Sequence, residues 1–139
     1  MKKQIFLSLS FFVLAVTALS SCSKDDKGPG PVSSAVPGAG WKVALFTEPK
    51  ENKTSDFIGY TLEFGSTGTL TITGNGQAIT GTWKQHQDDG VSKLLITLNT
   101  TDNHLSKLND DWVIVSKTET LISLKDDNVV SAEVLQFAK

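Results

Sequence analysis

Arginine is absent from this chain, and cysteine occurs only once. All 13 basic residues are lysines, and the formal net charge is -2. Arginine supplies the bidentate contacts that phosphate groups favour, and nucleic-acid binding depends on positive charge. We therefore expect no nucleic-acid partner. The single cysteine, Cys22, excludes an internal disulfide framework and a zinc site built from several thiolates.

Recognisable catalytic motifs are also missing. The two histidines, His86 and His104, lie in polar segments typical of exposed loops, and no serine occupies a Gly-x-Ser-x-Gly turn. The sequence contains no phosphate-binding loop and no cluster of histidine and cysteine. We therefore expect a protein that is not an enzyme, with no catalytic residue, no cofactor and no metal site.

Acidic pairs recur at residues 88–89, 110–111 and 126–127. Neighbouring aspartates point to opposite sides of an extended chain, so such pairs seldom form a catalytic dyad. Each pair stands where a turn or a cap is needed, and aspartate suits both. Residues 126–128 also offer oxygen ligands for Ca²⁺, but without the spacing of an EF-hand loop.

The N-terminus has the composition of a secretory signal peptide. Lys2 and Lys3 precede an apolar run at residues 5–19, whose 15 residues fall short of the roughly 20 that a membrane-spanning helix needs. Small residues follow, as they do before a signal cleavage site. We expect a signal peptide at residues 1–21, with an uncleaved membrane anchor as the alternative.

The stretch Leu19-Ser20-Ser21-Cys22 resembles the lipobox of bacterial lipoproteins. That resemblance implies cleavage between Ser21 and Cys22, a diacylglyceryl group on the Cys22 thiol, and acylation of the new N-terminus with a chain such as palmitate. Three acyl chains exceed the two signals needed for stable membrane attachment. The alternative is a free thiol beside an ordinary cleavage site, which is a liability outside the cytoplasm.

Residues 23–27 place lysines and two aspartates just after the cysteine, and this resembles the export signal of surface-exposed Bacteroidetes lipoproteins. The resemblance implies a lipid-anchored protein of the outer membrane, displayed on the cell surface. The periplasmic leaflet of that membrane is the alternative. Residues 22–39 are rich in glycine, proline and serine and lack a helical or strand period, which predicts a flexible tether.

The remaining domain, residues 40–139, consists of short apolar runs separated by turn signals. Asn75-Gly76 is a strong hairpin signal, and Gly59 and Gly81 indicate bends or a close backbone approach. The pattern predicts an all-β domain, an eight-stranded up-and-down antiparallel barrel with one short helix. A sandwich of two four-stranded sheets is the alternative. We expect strands at residues 41–47, 60–64, 69–73, 78–84, 93–98, 111–117, 120–125 and 132–137, and the helix at 102–110 as a lid on the outer face of 111–117.

Three stretches, "DFIGYTLEF", "GTLTITGNGQAITGTW" and "LSKLNDDWVIVSKTETLISLK", resemble the lipocalin-like lipoproteins of Bacteroidetes. The resemblance implies a calycin-type barrel and no particular reaction. The first strand departs from lipocalins, because the residues before Trp41 lack the leading glycine of their Gly-x-Trp motif. Lipocalins cover this tryptophan with an arginine from the last strand, so here we expect Lys125 or Lys139 in that place.

Large apolar side chains fall on the inward faces of the predicted strands. They either line a ligand cavity or fill the core, and the pattern fits both. We expect binding of a small hydrophobic or amphipathic ligand in the barrel. The alternative is a surface-exposed interaction or inhibitor module with a side-chain-filled barrel and an envelope or host protein as its partner. The residues concerned are Tyr60, Phe64, Trp83, Leu94, Ile96, Trp112 and Phe137.

The lipobox generates a direct prediction about the mature N-terminus. Protein purified from membranes of the native host is expected to begin at Cys22 and to carry lipid on its sulfur, because the thiol is the acceptor in this chemistry. Mass spectrometry of the N-terminal peptide checks this, and a Cys22→Ala variant is the unlipidated control. An intact Met1 with an unmodified Cys22 would contradict the prediction.

Overall fold

The computed structural model describes residues 36–139, which form an all-β fold of nine antiparallel strands. The predicted signal peptide, its cleavage site at Ser21 and Cys22, and the predicted tether up to residue 35 lie outside the described residues. Val36 is buried in the core. No helix among the described residues is long and apolar enough to cross a bilayer. The strands are β1 (Gly38–Glu48), β2 (Glu51–Asn52), β3 (Tyr60–Phe64), β4 (Thr69–Gly74), β5 (Gln77–Asp88), β6 (Val91–Leu98), β7 (Asp110–Lys117), β8 (Leu121–Lys125) and β9 (Val134–Ala138).

Eight of these strands form a closed ring. Their order is β1-β3-β4-β5-β6-β7-β8-β9, each strand pairs with the next, and β9 pairs back onto β1. β2 pairs only with the end of β1. A single sheet therefore joins all the strands, and the sandwich alternative is wrong. The ring is not a regular barrel, because the register shifts between β1 and β3, between β1 and β9, and between β7 and β8.

The predicted strands follow the alternation of apolar and polar residues, and all eight are present. β3 occupies the predicted residues 60–64 and buries every second side chain. The β4–β5 hairpin turns at Asn75 and Gly76, whose φ angles of 50° and 75° give the left-handed conformation that a type I′ turn requires. The β5–β6 hairpin is longer than predicted, because the polar residues 85–88 continue the pairing to its tip.

The helix predicted at 102–110 is wrong, because only a four-residue 3-10 turn, Leu105–Leu108, is present there. Leu105 and Leu108 belong to the buried core, so this turn closes the interior of the ring and is not a lid on the outer face of β7. A second 3-10 turn, Thr54–Phe57, was not predicted. Polar backbone-binding side chains such as Asp102 favour such short turns over longer helices.

Aromatic rings from four strands meet inside the ring. Phe64 lies 5.6 Å from both Trp83 and Phe137 and 6.4 Å from Trp41, measured between ring centroids. All three contacts are edge-to-face, the geometry that the aromatic quadrupole favours. The interior at this point is therefore occupied by the protein's own side chains.

A lysine covers the ring of the first-strand tryptophan. The Lys139 ammonium lies 4.7 Å from the centroid of the Trp41 ring, so Lys139 is the residue that takes this place and Lys125 is not. A cation over the face of an indole is attracted by its negative π surface. The contact joins the first strand of the ring to the residue that follows its last strand.

Gly81 marks a close backbone approach in the wall of the ring. A Cβ atom built at this position would lie 2.2 Å from the carbonyl oxygen of Thr97 on β6 and 2.8 Å from a methyl group of Leu98. The prediction of a close backbone approach at Gly81 is therefore confirmed.

Gly81→Ala is expected to lower the free energy of unfolding by about 1–3 kcal/mol, because β5 and β6 must move apart to admit the methyl group. Urea denaturation followed by tryptophan fluorescence measures the change. Thr80→Ala, at an exposed neighbouring position, is the matched control. A Gly81→Ala variant within about 0.5 kcal/mol of the wild type would contradict the close approach.

Candidate functional site

The residues predicted to line a cavity or fill the core lie together in the interior of the ring. Tyr60 is 7% exposed, and Trp83 packs on the core while only partly buried. Phe46, which the sequence did not single out, continues the aromatic packing, because its ring lies 6.3 Å from Trp112 and 5.2 Å from Phe57. The other predicted residues are at most 1% exposed: Phe64, Leu94, Ile96, Trp112 and Phe137.

One end of the ring, here called the mouth, is covered by the two 3-10 turns. The turn at Thr54–Phe57 is held to β1, because the Phe46 N–H donates to Thr54 Oγ1 at 2.9 Å. The turn at Leu105–Leu108 is held to β7, because Trp112 Nε1 donates to the Leu108 carbonyl at 3.0 Å. The segments that cross the mouth are therefore anchored to opposite parts of the wall.

Three side-chain contacts tie these mouth segments to one another or to the wall. The Tyr60 hydroxyl donates to Asp102 Oδ2 at 3.3 Å. His104 Nδ1 lies 3.0 Å from Asp56 Oδ2, which links the two turns. The third contact is an ion pair between Lys107 and Glu48.

Asp102 organises the segment that leads into the second turn. Its Oδ1 atom accepts the N–H groups of His104 at 2.8 Å and of Leu105 at 3.0 Å. The hydrogen bond from Leu105 is the main reason why the pKa of Asp102 is lowered. Both carboxylate oxygens are therefore in use, since Tyr60 occupies the other one.

The wall of the ring is split at the mouth between β1 and β3. Their pairing ends at Trp41↔Leu62. Two residues further, the same register would place Val43 opposite Tyr60, but no pairing is present there. A groove of about 390 Å³ lies at this split, here called the apolar groove. Its lining consists of Lys42, Val43, Phe57, Ile58, Gly59, Tyr60 and Thr61.

Two features of the apolar groove suit a ligand that is apolar at one end and anionic at the other. Ile58 is 74% exposed although it is a large apolar side chain. Lys42 stands at the same groove, and its ammonium forms no salt bridge with any described residue. Apolar surface beside an unpaired cation attracts both parts of such a molecule.

A second split lies at the mouth between β5 and the chain that leaves β6. Their pairing ends at Gly81↔Leu98. Two residues further, the same register would place Ile79 opposite Thr100, but residues 99–109 turn across the mouth instead. A groove of about 370 Å³ lies at this second split, here called the polar groove. Its lining consists of Gln77, Ile79, Asn99, Thr100, Thr101 and Asp102.

Away from the mouth, Lys93 is the one charged residue among residues 36–139 that is classed as buried, at 6% exposure. It points outward from β6, because the alternate residues Leu94 and Ile96 face the core. Its ammonium lies 2.8 Å from Asp88 and 2.9 Å from Asp127. These two ion pairs hold the tip of the β5–β6 hairpin and the loop after β8 against the outer face of the ring.

Each of the three acidic pairs contributes one carboxylate to Lys93. Asp111 is the third, at 3.5 Å from the ammonium. His86 Nε2 lies 3.4 Å from the same Asp111 oxygen, so His86 belongs to a strand and not to the exposed loop that was predicted. The sequence placed each pair correctly near a turn or strand end, but it did not reveal that they converge.

The charges around Lys93 hold it in its protonated form. Hydrogen bonds to Asp88 and Asp127 raise the pKa of Lys93, and the hydrogen bond from Lys93 lowers the pKa of Asp88. Burial raises the pKa of the neighbouring Asp110. A protonated lysine cannot act as a nucleophile, so this cluster is suited to holding loops in place and not to covalent catalysis.

The carboxylates do not form a metal centre in the described part of the chain. No group of three or more histidine, cysteine or acidic side chains among residues 36–139 is arranged to hold a metal ion. The cation shared by Asp88, Asp111 and Asp127 is the Lys93 ammonium itself.

Comparison with known proteins identifies a similar fold. The chain is similar to the crystal structure of a DUF4847 family protein from Bacteroides vulgatus, with a TM-score of 0.51 and 16% sequence identity. The match covers 73% of this chain and 91% of the other. No family model and no curated protein sequence matches the chain. The similarity therefore concerns the β-fold alone.

Lys93→Met is expected to lower the melting temperature at pH 7, because three carboxylates then face one another without their shared cation. The stabilisation that Lys93 gives the folded protein is complete below the ordinary lysine pKa. It is lost as the pH rises through the raised pKa that Lys93 has in the folded protein. The stabilisation from ionised Asp88 is present above the ordinary aspartate pKa. It is lost as the pH falls through the lowered pKa that Asp88 has in the folded protein. The difference in melting temperature between Lys93→Met and the wild type should therefore become smaller below about pH 4 and above about pH 10.

Thermal unfolding followed by circular dichroism over this pH range measures the gap. Lys84→Met, an exposed lysine on β5, is the matched control and should change the melting temperature little. Equal melting temperatures for the Lys93→Met and Lys84→Met variants at pH 7 would contradict the role of Lys93.

Proposed function

We propose that this protein is a non-enzymatic binding lipoprotein, anchored in the outer membrane through lipid on Cys22 and displayed on the cell surface by a tether. The lipobox-like residues 19–22 and the charged residues 23–27 support the anchor and the export. Lys139 over Trp41 supports a diverged lipocalin-like barrel, because it fills the place that arginine takes in lipocalins.

The proposed ligand is a small amphipathic molecule with an anionic group, seated in the apolar groove between β1 and β3. The observation that carries this proposal is a groove of about 390 Å³ that holds the exposed Ile58 and Lys42, whose ammonium forms no salt bridge within residues 36–139. Small-molecule sites are typically apolar clefts of about 300–1,000 Å³ with a few polar groups. The groove meets both criteria.

The interior of the ring is a weaker candidate for the ligand than the groove. Phe64, Trp112 and Phe137 are completely buried there, and the aromatic contacts described above occupy the space between the strands. A ligand in this place would have to displace packed side chains, which costs free energy because protein interiors are close-packed. The sequence led us to expect the ligand inside the ring, and we now propose the split between β1 and β3 instead.

Sodium laurate is expected to bind the mature chain and to shift the backbone amide signals of residues 42–43 and 57–61 in ¹H–¹⁵N NMR spectra. Ile58→Asp should weaken binding about tenfold, since it replaces apolar contact surface with a charge that repels the carboxylate. Lys42→Glu should also weaken the binding of laurate. The binding of lauryl alcohol, which lacks the anionic group, should be the same in Lys42→Glu and in the wild type.

Two surface variants serve as matched controls for this titration. Val129→Asp replaces an exposed apolar residue outside the groove, and Lys84→Glu reverses an exposed lysine outside it. Both should bind laurate like the wild type. Shifts centred on Leu94 and Ile96 would instead place the ligand inside the ring, and equal weakening by the controls would contradict the groove.

A protein-interaction module is the second candidate function. Val129 and Val130 are 90% and 83% exposed at the tip of the loop after β8. The loop is held by Asp127 on Lys93 and by Asn128, whose Oδ1 accepts the Val130 N–H at 3.0 Å. An ordered loop that presents two bare valines favours contact with another protein. This function becomes the preferred one if neither laurate nor lauryl alcohol binds.

A further inference from the structure

The polar groove between β5 and the chain after β6 has a lining unlike the rest of the surface. Among the described residues that line it, lysine and glutamate are absent and Asp102 is the only charged one. Both Asp102 oxygens already accept hydrogen bonds, from His104, Leu105 and Tyr60. The groove therefore offers little free charge to a ligand.

Neutral hydrogen-bonding groups converge on this groove. Within the described residues, the side-chain amides of Gln77 and Asn99 and the hydroxyl of Thr101 form no hydrogen bond with the protein. Thr100 Oγ1 accepts the Asp102 N–H at 3.0 Å and keeps its own hydroxyl hydrogen free. Each amide offers both a donor and an acceptor, and each hydroxyl offers the same.

The backbone that presents these groups is fixed on both sides of the groove. Gln77 pairs with Gly74 across the tight Asn75-Gly76 turn. On the other side, Asp102 holds the segment through its hydrogen bonds to Tyr60 and to the following turn. Preorganised groups lose less conformational entropy when a ligand binds.

We propose that the polar groove is a binding site for a neutral polyhydroxylated ligand, a saccharide or cyclic polyol. Adjacent hydroxyl groups match paired amide donors and acceptors, and Ile79 supplies an apolar surface for the C–H face of a sugar ring. A divalent cation would find only one carboxylate here, and that carboxylate is already engaged. An anion would meet the negative charge of Asp102 with no lysine in the lining.

The test uses the mature chain labelled with ¹⁵N and the probes glucose, mannose, N-acetylglucosamine and myo-inositol. At least one probe is expected to shift the backbone amides of Asn99, Thr100 and Thr101 and the side-chain amide of Gln77, with a dissociation constant of about 1–10 mM. Gln77→Ala and Asn99→Ala should each weaken that binding about fivefold.

The controls separate a lost contact from a damaged fold. Gln87→Ala removes an exposed amide from the same strand, outside the groove, and should bind the probe like the wild type. Thr101→Val keeps the size of the side chain and should weaken binding while leaving the remaining amide signals unchanged. If the whole spectrum of Gln77→Ala or Asn99→Ala changes, the fold of that variant is damaged, and Thr101→Val takes its place in the comparison.

Two results would overturn the proposal. The first is the lack of any shift in the groove with all four probes at about 100 mM. The second is weakening by Gln87→Ala equal to that by Gln77→Ala. Laurate binding should be the same in the wild type and in Asn99→Ala, so this site and the apolar groove can fail independently.

Discussion

The whole architecture depends on one strand, β1, which has to close the ring on both of its edges. It pairs through five residue pairs with β9 but through only two with β3. The register shifts on each edge of β1, and such irregularities bend and twist a strand locally. Beyond Trp41 the strand stays with β9 and leaves β3, so the wall opens there. The apolar groove is thus a consequence of how the ring closes.

The interior of the ring and its mouth differ in how they use their side chains. Large side chains such as Phe64 and Trp112 are completely buried in the interior, and burial of this apolar surface is the main favourable term in folding. At the mouth the strands separate, and two 3-10 turns cover the end instead of continuing the sheet. Side chains that are not needed for packing remain available there, which is why both grooves lie at this end.

The sequence predicted the strands well because their alternation reports directly which side chains face the core. Turn chemistry was equally readable at Asn75-Gly76, and the lack of arginine correctly directed attention to Lys139. The 3-10 turn at Leu105–Leu108 was mistaken for a helix, because two leucines three residues apart fit both structures. Periodicity cannot resolve a segment this short.

The site itself was largely beyond the reach of sequence. A groove at a split depends on where two ladders stop, and Trp41↔Leu62 looks no different in sequence from a pair within a continuous ladder. Asp88, Asp111 and Asp127 all contact Lys93, although they lie up to 39 positions apart in the chain. The sequence alone does not show which distant residues come together in space. Ile58 gave no distinct signal, because several other apolar residues, such as Val91 and Val129, also lie outside every predicted strand.

The placement of charge supports the proposed anionic ligand, although the overall composition does not suggest one. The chain carries a net charge of -2, so an anionic ligand is repelled on average. Lys93 offers it nothing, because three carboxylates already surround that ammonium, and Lys107 is paired with Glu48. Lys42 differs, because its ammonium forms no salt bridge within residues 36–139 and stands beside apolar surface. The proposed amphipathic anion would therefore gain at the apolar groove both interactions that the acidic outer wall around Lys93 denies it.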